Sequence, residues 1–244
     1  MRCCDLDGAV RFSDRAVLYA RARPSYPADA IAFVLRAAGP RIIDVGAGPA
    51  TSTKLLGEHA IGCDPNLPML LAAGRPRLLL ARAELLPFRT ASADLLTVFN
   101  AFHWFQPAAF FAEAHRVLSP DGRLALVWND WNHDDAFTAE FVRLMRSAAG
   151  DYPPEDREGE VAPLYATRLF TNIERRSFPN EHRLDRDLLR MRLQSMTYIP
   201  LHGPAWDALD RELALLFDRY ARDGFVTHRY TTEVFVAERV LTRA

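Results

Sequence analysis

The chain has 244 residues, of which 49% are hydrophobic; that is enough to fill one large core and excludes wholesale disorder. Its 30 basic and 31 acidic side chains leave a formal net charge of −1, which gives no electrostatic case for nucleic acid or an anionic membrane as a partner. Three cysteines (Cys3, Cys4 and Cys63) are an odd number without metal-ligand spacing, so they predict neither a disulfide framework nor a metal site and fit a reducing cytoplasm.

In chain order, Arg2, Asp5 and Asp7 break any apolar signal core, and no run reaches the length of a membrane span. A first helix is predicted from about Ser13, as its cap, to about Arg21. Pro27 opens a second helix that closes near Gly39. Ile42–Val45 reads as the first strand, followed by a helix from Thr51 to Gly57. Ala60, Ile61, Gly62 and Cys63 form a second strand ending at Asp64, and Pro68 opens a helix that stops at Gly74. Leu78–Ala81 is a third strand. Asp94–Phe99 is a fourth, apolar enough to be buried on both faces. Pro107 begins a helix with Phe110, Ala114, Val117 and Leu118 at helical spacing. Ser119-Pro120-Asp121-Gly122 then turns the chain into a fifth strand, Leu124–Trp128.

Beyond it, Phe137, Phe141, Leu144 and Met145 mark another amphipathic helix. The charged, Pro-containing stretch from Asp151 to Pro163 reads as a surface loop or lid. A sixth strand is placed near Ile173–Phe178, and Asp185 caps a helix through Leu189, Leu193 and Met196. A longer helix carries Trp206, Leu209, Leu213, Leu216, Phe217 and Tyr220. Tyr230–Val240 closes the chain as a strand. Alternating strands and helices favour a parallel sheet covered on both faces.

The chemistry is concentrated in Arg41-Ile-Ile-Asp-Val-Gly-Ala-Gly-Pro-Ala-Thr51, an apolar strand, a glycine turn and a helix start. Gly46 and Gly48 let the main chain pass close under a ligand. Asp64 lies twenty residues after Asp44, at the end of the next strand, where a carboxylate accepts both hydroxyls of an adenosine ribose. The chain therefore reads as an enzyme holding a nucleoside-bearing cofactor.

These elements resemble the class I S-adenosylmethionine-dependent methyltransferases, and most closely the branch of ubiquinone/menaquinone-type and trans-aconitate-type small-molecule enzymes. The resemblance rests on Tyr-x(4)-Pro-x-Tyr-Pro (Tyr19 to Pro27), Asp-Val-Gly-Ala-Gly (44–48), Asp64-Pro65 with Met69, and Ala83-Glu84-x-x-Pro87-Phe88. It continues through Ser92-x-Asp94, Ala101-Phe102-His103-Trp104-Phe105 and Arg116-Val117-Leu118-Ser119-Pro120-Asp121-Gly122. It implies a Rossmann-like α/β three-layer sandwich with a seven-stranded, mostly parallel sheet whose last strand is antiparallel. The whole chain forms one domain: a helical lid over about residues 1–40, a cofactor core over about 41–130, and acceptor-side helices and closing strands over about 131–244. One departure stands out. The family continues Gly-x-Gly-Thr-Gly, whereas Pro49 and Ala50 follow Gly48 here, removing an amide donor and placing a methyl where close approach is usual.

The resemblance implies S-adenosyl-L-methionine as cofactor and S-adenosyl-L-homocysteine as product. Gly46 and Gly48 would meet its methionine part, Asp64 with Pro65 its ribose, and Met69 its adenine face unless it is plain core. Ala83 and Glu84 would meet the adenine amino group, with a solvated Glu84 the rival. Asn100 would meet the cofactor's amino group. Asp44 either does so through water or only holds the loop. Tyr19 or Arg23 would meet the carboxylate from the lid. His103 is the candidate general base, or else a wall residue that orients the acceptor. Tyr26, Trp104, Trp128, Trp131 and Tyr198 are placed on the acceptor side, with core packing the alternative for the tryptophans. The other histidines (His59, His115, His133, His182, His202 and His228) read as structural or surface residues. The expected partner is a small-molecule acceptor, with no nucleic acid. The rival readings are a non-catalytic cofactor-binding relative and an NAD-dependent Rossmann oxidoreductase.

Overall fold

A seven-residue strand that is buried almost end to end, Ala93–Phe99, needs cover on both faces, and the architecture follows from that need. The computed structural model describes residues 12–36, 38–74, 77–149 and 156–241, so Cys3, Cys4 and the N-terminal sequence reading lie outside the described residues. The strands are β1 (Ile42–Val45), β2 (Ile61–Asp64), β3 (Leu78–Leu80), β4 (Ala93–Phe99), β5 (Leu118–Trp131), β6 (Phe170–Leu184) and β7 (Val226–Arg239). They form one sheet in the order β3-β2-β1-β4-β5-β7-β6. β1 to β5 pair in parallel, and β7 runs antiparallel to both β5 and β6. The chain winds outward from β1 to β3 and then returns to lay β4 on the other side of β1. That reversal opens a crevice at the carboxyl ends of β1 and β4.

The helices are α1 (Ala16–Ala22), α2 (Ala28–Leu35), α3 (Thr51–Leu55), α4 (Leu67–Ala72), α5 (Pro107–Val117), α6 (Ala136–Ala148), α7 (Arg157–Ala166), α8 (Arg186–Gln194) and α9 (Pro204–Tyr220). Phe110, Ala114 and Val117 of α5 and Val161 and Leu164 of α7 are buried in one core cluster with β4 and β5. Ile31, Phe33 and Val34 of α2 are buried in a second, with Leu95 and Val234. A third joins Phe141 of α6, Leu193 of α8 and Leu213 of α9. Among the described residues, no helix is long and apolar enough to cross a membrane.

Four sequence expectations are corrected. Ser13 does not cap the first helix: it lies in a 3-10 turn, Ser13–Arg15, and its hydroxyl accepts from Asn66 Nδ2 at 3.2 Å. The Ser119–Gly122 turn is absorbed into β5 as an irregularity, since pairing jumps from Ala93↔Leu118 to Leu95↔Arg123. β6 is far longer than Ile173–Phe178 because β7 offers it a full-length edge. The stretch read as a loop up to Pro163 is helical from Arg157, where the Asp156 carboxylate accepts from the Gly159 amide and starts α7.

The turn after β1 depends on Gly46. Its φ is +73°, and a Cβ there would lie 2.5 Å from the Ala101 Cβ. Gly46→Ala adds left-handed strain to overpacking, and unfolding in urea is expected to show a loss of about 2–4 kcal/mol.

Candidate functional site

The site grows from that turn. The Gly46 and Ala47 amides both donate to the Cys63 carbonyl, at 2.8 and 2.9 Å, fixing the turn against the end of β2. Asp44 secures it from below. Its carboxylate is fully buried and accepts from Ser52 Oγ (2.7 Å), Thr53 Oγ1 (2.6 Å) and Thr97 Oγ1 (2.9 Å). Burial pushes the acid up to about 6 against the pull of those hydroxyls. Asp64 secures the turn from above. One oxygen accepts from the Gly48 amide and the other from the Asn66 amide, both at 2.8 Å. A carboxylate has about four acceptor positions, so two remain.

Over this turn opens a cavity of about 290 Å³. Every residue predicted for the site borders it except Asp44, which lies beneath the floor. Met69 is buried beneath Gly48: a Cβ on that glycine, at φ +52°, would stand 3.2 Å from the Met69 methyl. Glu84 accepts from the Gln106 amide at 2.9 Å and lies 3.5 Å from Arg82, so it bridges two loops rather than standing in solvent. The Asn100 carboxamide is partly committed, since its oxygen accepts from the Asn129 amide at 3.1 Å. Tyr26 packs edge-on to Phe99, and burial raises its phenol well above the ordinary value.

The opposite wall is aromatic. Trp128 is buried, Trp131 stacks near His228 with ring centroids 6.1 Å apart, and Trp104 is exposed at the mouth. The Tyr198 hydroxyl points at Met145 Sδ at 3.0 Å. His103 sits in a 3-10 turn, Phe102–Trp104, with Nδ1 3.8 Å from Glu160. Desolvation, then the nearby Arg157 and Arg23 charges, push its imidazole down to about 4, although cavity water reaches a third of the side chain and moderates that push.

Sequence reading missed several residues here. Arg157 of α7 lies over the Trp128 ring at 4.4 Å and pairs with Asp130 and Glu160. Arg192 of α8 and Tyr230 of β7 border the far end. Arg15 donates to the Met196, Ile199 (2.8 Å) and Gln194 (3.1 Å) carbonyls, tying the N-terminal segment to the end of α8. No local pattern flags these residues, because each has a partner more than 25 positions away in the chain.

A methyltransferase domain family matches residues 43–126. An uncharacterized methyltransferase of Mycobacterium tuberculosis is 41% identical over 182 residues, which cover 72% of this chain and 72% of that protein. A trans-aconitate 2-methyltransferase of Methylobacterium nodulans is 33% identical over 181 residues, covering 70% of this chain and 65% of that one. In fold, the chain is similar to a solved structure from Anaeromyxobacter dehalogenans proposed to be a type II methyltransferase. The TM-score is 0.67 at 23% identity, over 91% of this chain and 99% of the other.

His228 gives a pH test of this wall. It is fully buried, and its Nδ1 lies 3.0 Å from the Tyr230 hydroxyl. Desolvation and the Arg192 charge hold its pKa well below 6.5 in the folded state. The unfolded chain therefore takes up this proton first, so the contribution is intact above about pH 6.5 and is lost as pH falls. Between pH 7.5 and 5, the wild-type unfolding free energy should fall more steeply than that of His228→Gln, as measured in urea.

Proposed function

We propose methyl transfer to a small-molecule acceptor, from the premise that this chain belongs to the class I S-adenosylmethionine-dependent methyltransferases. The observation that carries the reading is Asp64: a carboxylate ending β2, with acceptor positions to spare, beside a turn built on Gly46 and Gly48 on the wall of the same cavity. The residues fit the cofactor. Gly46 and Gly48 present bare backbone to the cavity, Asp64 offers acceptors for two ribose hydroxyls, and Met69 and Pro65 supply apolar contact for a base. Tyr19 and Arg23, at the end of α1, are assigned to the cofactor's carboxylate, and Asn100 to its amino group through whichever atoms the Asn129 contact leaves.

S-adenosylmethionine supplies, when bound, a methyl group on a sulfonium that is already activated for displacement. The chain's own task is to hold the acceptor in line and exclude water. Trp128, Trp131, Tyr26 and Tyr198 form the apolar wall for it, and Trp104 stands at the mouth. His103 is neutral at pH 7 and can accept a proton from a hydroxyl acceptor, with the Glu160 carboxylate 3.8 Å away to favour the imidazolium. An acceptor that arrives ionised needs only the shape of this wall. Near-neutral charge supports a metabolite rather than nucleic acid, and the reducing, cytoplasmic setting read from the cysteines belongs to the same proposal.

Calorimetric titration with S-adenosylmethionine tests the reading. Asp64→Ala should weaken binding by about tenfold or more, from lost charged hydrogen bonds, while its unfolding midpoint reports on the turn. His103→Ala should keep the wild-type affinity and slow formation of a methylated product detected by mass spectrometry in a metabolite extract. Binding of NAD in place of S-adenosylmethionine, or an unchanged affinity in Asp64→Ala, would overturn the assignment.

A further inference from the structure

Among the described residues, two guanidiniums, those of Arg23 and Arg192, border the cavity without a carboxylate partner. Arg192 is 1% exposed on α8. Its Nε donates to the Tyr230 hydroxyl at a long 3.4 Å, and its Nη1 is buried with no hydrogen-bond partner. Arg23 has a buried, unpartnered Nε, and its guanidinium lies on the Tyr19 ring at 4.4 Å. Burial, and then the Arg192 charge, hold the Arg23 guanidinium below its ordinary pKa. Nearby arginines differ. Arg157 holds Asp130 and Glu160, and Arg190, two residues earlier on α8, holds Asp210 at 2.6 and 2.9 Å. The fold thus supplies acids to Arg157 and Arg190 and none, among the described residues, to Arg23 and Arg192. A buried cation left without an anion is strongly disfavoured, so a ligand that brings one is strongly favoured.

The cofactor brings only one carboxylate, which the reading above gives to Arg23. Arg192 stands near enough to Arg23 to disfavour its charge, but its own hydrogen bond is made to β7. It contacts Tyr230, which pairs with Trp131 across β7 and β5. β7 is three strand positions from β1, or about 14 Å, and four from β2. A guanidinium fork matches a planar carboxylate in two parallel hydrogen bonds. The surrounding Tyr230, Trp131 and Tyr198 suit an apolar body attached to that group.

We infer that Arg192 anchors a carboxylate of the methyl acceptor, so that the substrate class is small organic acids with an apolar body. This rests on the cavity being the methyl-transfer site, and the experiment separates the two. Titrate S-adenosylhomocysteine first, then titrate phenylacetate, glutarate and tricarballylate into the loaded protein, with phenylacetamide and inorganic phosphate as controls. At least one acid should bind the wild type and be preferred over the neutral amide. Arg192→Met should lose that acid by about tenfold or more, bind phenylacetamide no worse than the wild type, and keep its S-adenosylhomocysteine affinity within about threefold. Arg192→Lys, which keeps the charge without the fork, should fall between and carries the test if the Met variant does not fold. Four results would overturn the inference: no acid binds the loaded wild type, acid affinity is unchanged in both variants, phosphate binds through Arg192 in place of the acids, or the variants lose S-adenosylhomocysteine instead. Failure of the wild type to bind S-adenosylhomocysteine at all would remove the underlying reading, and the inference with it.

Discussion

Everything at the ligand end of this sheet depends on how one buried acid holds the chain reversal after β1. Asp44 sits in the interior with no cation opposite it among the described residues. Three hydroxyls take that place: two from the first residues of α3 and one from the adjacent strand. The register that pairs Asp44 with Thr97 makes the third possible. The carboxylate therefore joins β1, α3 and β4 at the point where the sheet order reverses. Ordinary hydrogen bonds to an ionised group are among the stronger ones available, and three of them offset part of the cost of burial. Asp64 completes the arrangement from the neighbouring strand, bonding the same turn from its open side while keeping acceptor capacity free. One acid serves the fold, and the other is left able to serve a ligand.

That division explains what could be read from sequence. The pairing of the glycine turn with Asp64 was legible because parallel strands joined by a single helix bring residues about twenty apart to neighbouring strand ends. For Asp44 the sequence left two roles open, a contact to the cofactor through water and holding the loop, because its partner Thr97 is 53 residues away and nothing near Asp44 announces it. The sheet order, with one antiparallel strand, followed from the resemblance rather than from periodicity. The loop reading of Asp151–Pro163 followed charge and proline content, yet Asp156 is an effective helix cap and Pro163 is tolerated inside the final turn of α7. Arg157 and Arg192 were invisible for a compositional reason. In a chain whose basic residues are almost all arginine, no single arginine stands out until its surroundings are known.

The covering elements are linked to one another as well as to the sheet. Arg15 inserts into the carbonyls at the end of α8, satisfying acceptors that a helix terminus leaves open. The clasp joins the N-terminal segment to the helix that carries Arg192, and α1, which follows Arg15 directly, ends at Arg23. The two unpaired guanidiniums thus reach the cavity through one connected cover.

The departure at Pro49 and Ala50 can now be weighed on geometry. Ala50 adopts φ +59°, a conformation that favours glycine by about 1–2 kcal/mol. Its methyl is fully buried and off the cavity wall, so it adds packing of about 0.8 kcal/mol rather than an obstruction. The amides around Pro49 are all used inside the protein. Gly46 and Ala47 donate to Cys63, Gly48 to Asp64, and Ala50 to Ala47 at 2.9 Å. A proline in the one remaining position removes no donor that the turn relies on. The motif loses a little of its usual ease of folding and keeps the open floor that a bound nucleoside needs, so the departure is no argument for a non-catalytic relative.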